Sequence, residues 1–153
     1  MSRREAMPFV GTAVRIAAGA VWIVAGAAKV GELRTFETQV AQYRLLPHVL
    51  TAPFAYALPF VELLVGLYLL VGLLTRAAAI VACVLLALFL IALTQAWARG
   101  LNLDCGCFGS LTHSRVGAWS IVRDLAIGLP AVVMAIWPAR RLSLDRRLFG
   151  TPE

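Results

Sequence analysis

Four stretches of the chain, roughly 9–30, 53–74, 77–98 and 117–137, are apolar for about 20 residues each, the length a helix needs to cross the hydrocarbon core of a bilayer. No other feature narrows the fold so far. In lipid every backbone amide must find its partner within the protein, which leaves only helices and closed barrels. The composition agrees: 61% of the 153 residues are hydrophobic, 14% are charged and the mean hydropathy is +0.83. A soluble domain is about 45–50% apolar. Connections are short except between the first two runs, so the expected architecture is an all-α membrane protein. It forms one domain over 1–153, built as a four-transmembrane-helix bundle. Residues 1–7 are basic enough to open a secretory leader. The run behind them is full length and carries Arg15 and Lys29, so a retained first span is expected rather than a cleaved one.

A net charge of +6 raises nucleic acid as a partner. The basic residues, however, are spread between the spans instead of gathering on one soluble face, so no nucleic acid is expected. Their distribution reads as topology. With four spans, Arg3, Arg4, Arg76, Arg140, Arg141, Arg146 and Arg147 share one side, and Lys29, Arg34, Arg44, Arg99 and Arg115 share the other. The positive-inside rule then places both termini in the cytoplasm and the loop over 99–116 outside it.

That loop carries the chemistry. Asp104-Cys105-Gly106-Cys107-Phe108-Gly109 is a short polar interruption of an apolar sequence, with two of the three cysteines one residue apart. A disulfide across so tight a spacing must bend the backbone, and glycine is the residue that tolerates this. Strained or exposed disulfides are the easily reduced ones, so a CxC pair suits electron exchange better than stapling. Outside the cytoplasm such a bond also persists. Two other readings stay open. Paired thiolates suit a soft ion such as Cu(I) or Zn, but a closed site takes about four ligands and only His113 and Asp104 lie nearby. The pair is otherwise two idle thiols or a passive disulfide. Cys83, about 15 residues or roughly 22 Å along the third span from its loop end, is too far to join the pair and is read as a core residue.

The spans hold ionisable groups where charge is costly. In the first, Gly11, Arg15, Gly19, Trp22, Gly26 and Lys29 fall on one face, where small residues let a neighbouring helix come close. Arg15 is expected to find an interior partner. Lys29 either does the same or snorkels to the interface. In the second span Ala55, Pro59, Glu62 and Gly66 share a face, with Glu62 near mid-bilayer as a proton acceptor, a ligand anchor or half of an interhelical ion pair. In the fourth, Gly117, Ser120, Asp124, Gly128, Ala131 and Ala135 line a face, and Arg123 points about 100° away from Asp124, toward a neighbouring helix. Lys29, Glu62, Arg123, Asp124 and Arg15 together make an expected polar interior beneath the dithiol. Between the first two spans, Phe36, Val40, Tyr43 and Pro47 follow helical spacing. They indicate either a surface helix that lids the cysteine loop or an ordinary amphipathic linker.

Taken in order, Arg15 to Gly19, Gly26 to Lys29, Tyr43-Arg44-Leu45-Leu46-Pro47, Pro59 to Glu62 to Gly66, Cys105-Gly106-Cys107-Phe108-Gly109 and Arg123-Asp124 resemble the MauE branch of the DoxX-like membrane proteins. The resemblance implies a four-helix protein of the bacterial inner membrane associated with thiol redox chemistry. MauE proteins are linked to maturation of the disulfide-rich small subunit of methylamine dehydrogenase, with a thioredoxin-like partner. DoxX relatives are linked to quinone-coupled sulfur oxidation. Membrane disulfide enzymes of equal helix count use CxxC pairs, whereas this chain has CxC and no second pair. The expected function is therefore thiol-disulfide exchange by Cys105 and Cys107, between an extracytoplasmic thioredoxin-like protein or redox-enzyme subunit and a carrier in the lipid, with quinone as that carrier. A non-catalytic maturation subunit and a soft-metal carrier are the alternatives.

Overall fold

The computed structural model describes residues 3–101, 103–105 and 115–136, with side chains from Val10 onward. Among these residues there are five helices: α1 (Arg3–Gly31), α2 (Leu33–Tyr43), α3 (His48–Val71), α4 (Thr75–Ala98) and α5 (Ala118–Ile136). Four of them, α1 from Val10, α3, α4 and α5, are long and apolar enough to cross a membrane. Their outward faces are apolar too. Phe60, Leu64, Leu67 and Val71 on α3, Ile80, Val84, Leu88 and Ile91 on α4, and Val122, Leu125 and Leu129 on α5 recur every three or four residues and are all exposed. An aqueous protein would hide such stripes; a multi-pass membrane protein turns them to lipid.

The second span begins at His48, five residues ahead of the apolar run. Pro47, with φ −56°, sets the chain direction just before the first turn, where the helix amides have no partner to lose. Its carbonyl accepts from the amides of Leu50 and Thr51 and from the Thr51 hydroxyl. The helix then runs on through Pro53 and Pro59, each at the expense of one backbone bond. α2 is short because Arg44 turns into the left-handed region at φ 52° and closes it. Pro47 therefore belongs to the next helix and not to the face formed by Phe36, Val40 and Tyr43.

Packing divides the bundle into pairs, α1 on α3 and α4 on α5, with α2 against α3. The first pair is brought together by glycine. A Cβ placed on Gly66 would lie 2.8 Å from the Gly19 carbonyl oxygen and 2.8 Å from the Ile23 amide, and one on Gly26 would lie 2.8 Å from the Pro59 carbonyl. Backbone meets backbone, so nothing can rotate away. Gly66→Ala is expected to destabilise the protein by about 1–3 kcal/mol, as overpacking does. Gly31→Ala, with open space around the site, should be neutral. Thermal unfolding in detergent measures both, and equal melting of the two variants would refute the close approach as a determinant of the fold. Between the pairs lies an alanine-rich core of Ala18, Ala78, Ala79, Ala82 and Ala131 with Val65, Leu69 and Met134.

Candidate functional site

Cys105 lies in the connection between α4 and α5, with its sulfur against Arg123 and Asp124 of α5. It is disulfide-bonded and 3% exposed, and Cys83 carries a free thiol, packed at the edge of the alanine core. Cys107 and His113 lie outside the described residues. An antiparallel bridge between Asp104 and Arg115, with the Val116 amide donating to the Leu103 carbonyl at 2.8 Å, pins the two ends of the loop together. Ser120 on the first turn of α5 donates to the Arg115 carbonyl at 2.8 Å and ties the loop to the helix.

One turn deeper, Arg123 and Asp124 face the sulfur. Arg123 Nε donates to Asp124 Oδ1 at 3.0 Å, and Arg123 Nη2 donates to Cys105 Sγ at 3.5 Å. Asp124 Oδ2 is 3.9 Å from the same sulfur. A disulfide sulfur has no proton to give. In the reduced protein the same atoms would set a thiol beside a carboxylate that accepts its proton and a guanidinium that stabilises the resulting thiolate. The offset of about 100° read from the sequence does not keep Arg123 from Asp124. The guanidinium folds back onto its own neighbour because the long side chain overcomes the 100° offset, and it then reaches the loop.

The α2 helix holds the other side. The Tyr43 hydroxyl donates to the Cys105 carbonyl at 3.0 Å, and Arg99 donates to the Tyr43 carbonyl at 3.2 Å. Burial, reinforced by the negative charges of Asp124 and Asp104, pushes the Tyr43 hydroxyl up to about 12, so it remains a donor throughout the physiological range. Of the two readings of the 31–51 segment, the structure has the helix beside the cysteine loop.

Deeper again, Lys29 Nζ donates to both Glu62 oxygens at 2.8 Å, with both residues 1% exposed. Lys29 does not snorkel. Its ammonium also faces the rings of Phe36 and Phe89, with centroids 5.5 and 5.1 Å away. Such contacts strengthen when water is excluded. A small cavity of about 60 Å³ lined by Lys29, Glu62, Phe89, Asp124 and Gly128 joins this pair to Asp124, and water needs only about 10–15 Å³ of such space. Cys105, Arg123, Asp124, Lys29 and Glu62 thus form one polar column descending from the disulfide. Arg15 is not part of it. It lies roughly 21 Å along α1 from Lys29, buried, and donates to the Leu69 carbonyl at 3.1 Å. Among the described residues no group of three or more His, Cys, Asp or Glu is placed to hold a metal ion.

A second, larger cavity of about 310 Å³ lies between α2, α3 and α4, and Cys105 forms part of its wall. Sequence reasoning missed it, together with Gln39 on its lining. The signal available was Gln39 itself, a polar residue between Phe36 and Val40 on a helix whose apolar face is otherwise continuous.

Comparison with known proteins gives a consistent result. Residues 7–138 match the family described as methylamine utilisation protein MauE. The chain is similar to the methylamine utilization protein MauE of Methylophilus methylotrophus, with 41% identity over 122 residues, covering 76% of this chain and 64% of the relative. It is similar to the protein of that name from Paracoccus denitrificans at 33% identity over 138 residues, covering 84% of this chain and 74% of the relative. The chain thus spans just under two thirds of the length of the first of these. No solved structure matches it.

Proposed function

The chain belongs to the MauE family of methylamine utilisation proteins, and from that premise we propose that it is a membrane thiol-disulfide redox protein serving the maturation of methylamine dehydrogenase. The carrying observation is the buried, disulfide-bonded Cys105 set against the Arg123–Asp124 pair. A thiolate of a thioredoxin-like partner attacks the sulfur bonded to Cys105. The S–S bond breaks, a mixed disulfide forms, and Cys105 leaves as a thiolate held by Arg123. A second partner thiolate resolves the mixed disulfide, so the partner departs oxidised and this protein keeps two thiols. A carrier in the lipid, quinone by its chemistry, then takes two electrons and two protons and restores the disulfide. In this reading the loop faces the extracytoplasmic side and both termini face the cytoplasm. Asp124 accepts the Cys105 proton, and the water-sized cavity passes it on toward Glu62.

The roles proposed for the two cysteines are unequal, with the buried Cys105 as the leaving group and the sulfur bonded to it as the one attacked. Cys105→Ser leaves Cys107 without its resolving sulfur and is expected to accumulate a mixed disulfide with an exported partner, identifiable by mass spectrometry. Cys107→Ser leaves only a buried thiol and should trap several-fold less. Equal trapping by the two variants, or none by either, would remove Cys105 from the leaving-group role. A partner held without any covalent link would favour the maturation-subunit alternative.

A further inference from the structure

We propose that the cavity between α2, α3 and α4 is the binding site of a membrane quinone that oxidises the Cys105 dithiol. The proposal deepens the redox reading above and rests on it. Three observations meet in this cavity. First, among the described residues its lining is apolar apart from Gln39 and Tyr43, whose hydroxyl already donates to the Cys105 carbonyl, and its walls include Phe36, Leu58, Phe89 and Cys105. Its volume of about 310 Å³ falls at the lower end of the roughly 300–1,000 Å³ typical of ligand sites. That suits one substituted ring with its tail outside. Second, it opens where lipid would be. Leu45, Leu88 and Ile91 belong to its lining and are 41%, 50% and 57% exposed, so a hydrophobic molecule can enter sideways from the bilayer. A soluble protein cannot. Third, Gln39 lines it, and Gln39 Oε1 is buried with no hydrogen-bond partner among the described residues. A buried acceptor without a donor is costly, and a quinol hydroxyl would supply one; the same amide offers N–H donors to a quinone carbonyl.

These features choose between occupants. A phospholipid acyl chain would fill the apolar volume, yet it has no use for the amide or for a redox-active cysteine in the wall. A quinone uses both. The step balances without further reactants: two S–H bonds break, the S–S bond forms, and the two electrons and two protons convert the two quinone carbonyls to hydroxyls. Quinone is the oxidant because a quinone relay is what keeps bacterial periplasmic thiols oxidised. Cys105 is then the cysteine beside the carrier, and the sulfur bonded to it is the one assigned to the protein partner.

The test uses the full-length protein in nanodiscs, reduced and then mixed anaerobically with decylubiquinone, with quinol formation followed by absorbance and thiols counted by alkylation and mass spectrometry. Saturable oxidation is expected, one quinol per disulfide formed. Ala92→Trp, which fills the cavity, should raise the half-saturating concentration about ten-fold or more. Gln39→Leu, close in size and safer for folding, should raise it about two- to ten-fold, the range for one neutral hydrogen bond. Val84→Trp, on the lipid-facing side of α4 outside the cavity, should leave it unchanged. Saturation that is the same in the wild type, Ala92→Trp and Gln39→Leu would overturn the assignment. So would a co-purifying phospholipid that decylubiquinone does not displace in native mass spectrometry. A parallel titration of the wild-type disulfide against glutathione separates the two levels. If exchange proceeds and quinone fails, the cavity assignment and quinone as the carrier fall while thiol-disulfide exchange stands; if the disulfide does not exchange at all, the redox reading falls with them.

Discussion

Replacing Glu62 by Leu while Lys29 remains is expected to destabilise the protein by about 3–5 kcal/mol, the usual result of stranding one member of a buried ion pair. The pair is made twice over at 2.8 Å and both side chains are 1% exposed, so bulk solvent does not rescue the ammonium. Lys29→Met alone strands the carboxylate and should cost a similar amount. The double variant removes both charges and should recover most of the loss, because well-packed apolar replacements of a buried pair are often neutral. Detergent unfolding of the wild type, the two single variants and the double variant measures the coupling. If the two single effects simply add, the geometric pair carries no interaction energy, and Lys29 is held by Phe36 and Phe89 instead.

Asp124→Asn is expected to act on rate and not on fold. The amide oxygen can still accept from Arg123 Nε, so expression and melting should change little. What is lost is a group able to take a proton 3.9 Å from Cys105 Sγ. General acid–base roles account for about 10²–10⁴ in rate, so dithiol oxidation per folded molecule should fall by that order and its pH profile should lose one limb. Unchanged activity per folded molecule, in this variant and in Glu62→Gln, would make the whole polar column scaffolding and leave the chemistry to the cysteines alone.

The spans were legible because they rest on length and apolarity, which are local. The α1 glycine face was legible for the same reason: Gly19 and Gly26 repeat at helical spacing, and the structure packs them on α3. Boundaries were less so. Nothing in the apolar run announces that the helix of α3 starts at His48, because Pro47 acts through dihedral preference and not through hydropathy. Contacts across the bundle were least legible. Lys29 and Glu62 are 33 residues apart, and only the packing of α1 on α3 decides that the lysine turns inward and not to the interface. Helical-wheel angles sent Arg123 away from Asp124 because they describe Cβ directions, whereas a guanidinium lies several bonds farther out. Gln39 was visible as a polar residue beside the apolar face of α2, but that its oxygen is buried without a partner was not, since an amide between apolar residues reads equally well as surface.

The Lys29 ammonium carries a consequence for how such a chain is made. It stands on α1, bonds Glu62 on α3, faces Phe36 on α2 and Phe89 on α4, and feels the charge of Asp124 on α5, so all five helices converge on one cation. During synthesis these neighbours emerge in sequence. Until Glu62 leaves the ribosome, 33 residues later, the ammonium lacks this acidic partner, and because Lys29 stands in the last turn of α1 it can reach the interface in the meantime. The earliest span is therefore provisional, retained at the translocon or near the interface until its acidic partner arrives. The order of emergence along the chain then becomes an order of assembly: α1 with α3 first, and the pair of α4 and α5, bearing the redox loop between them, last.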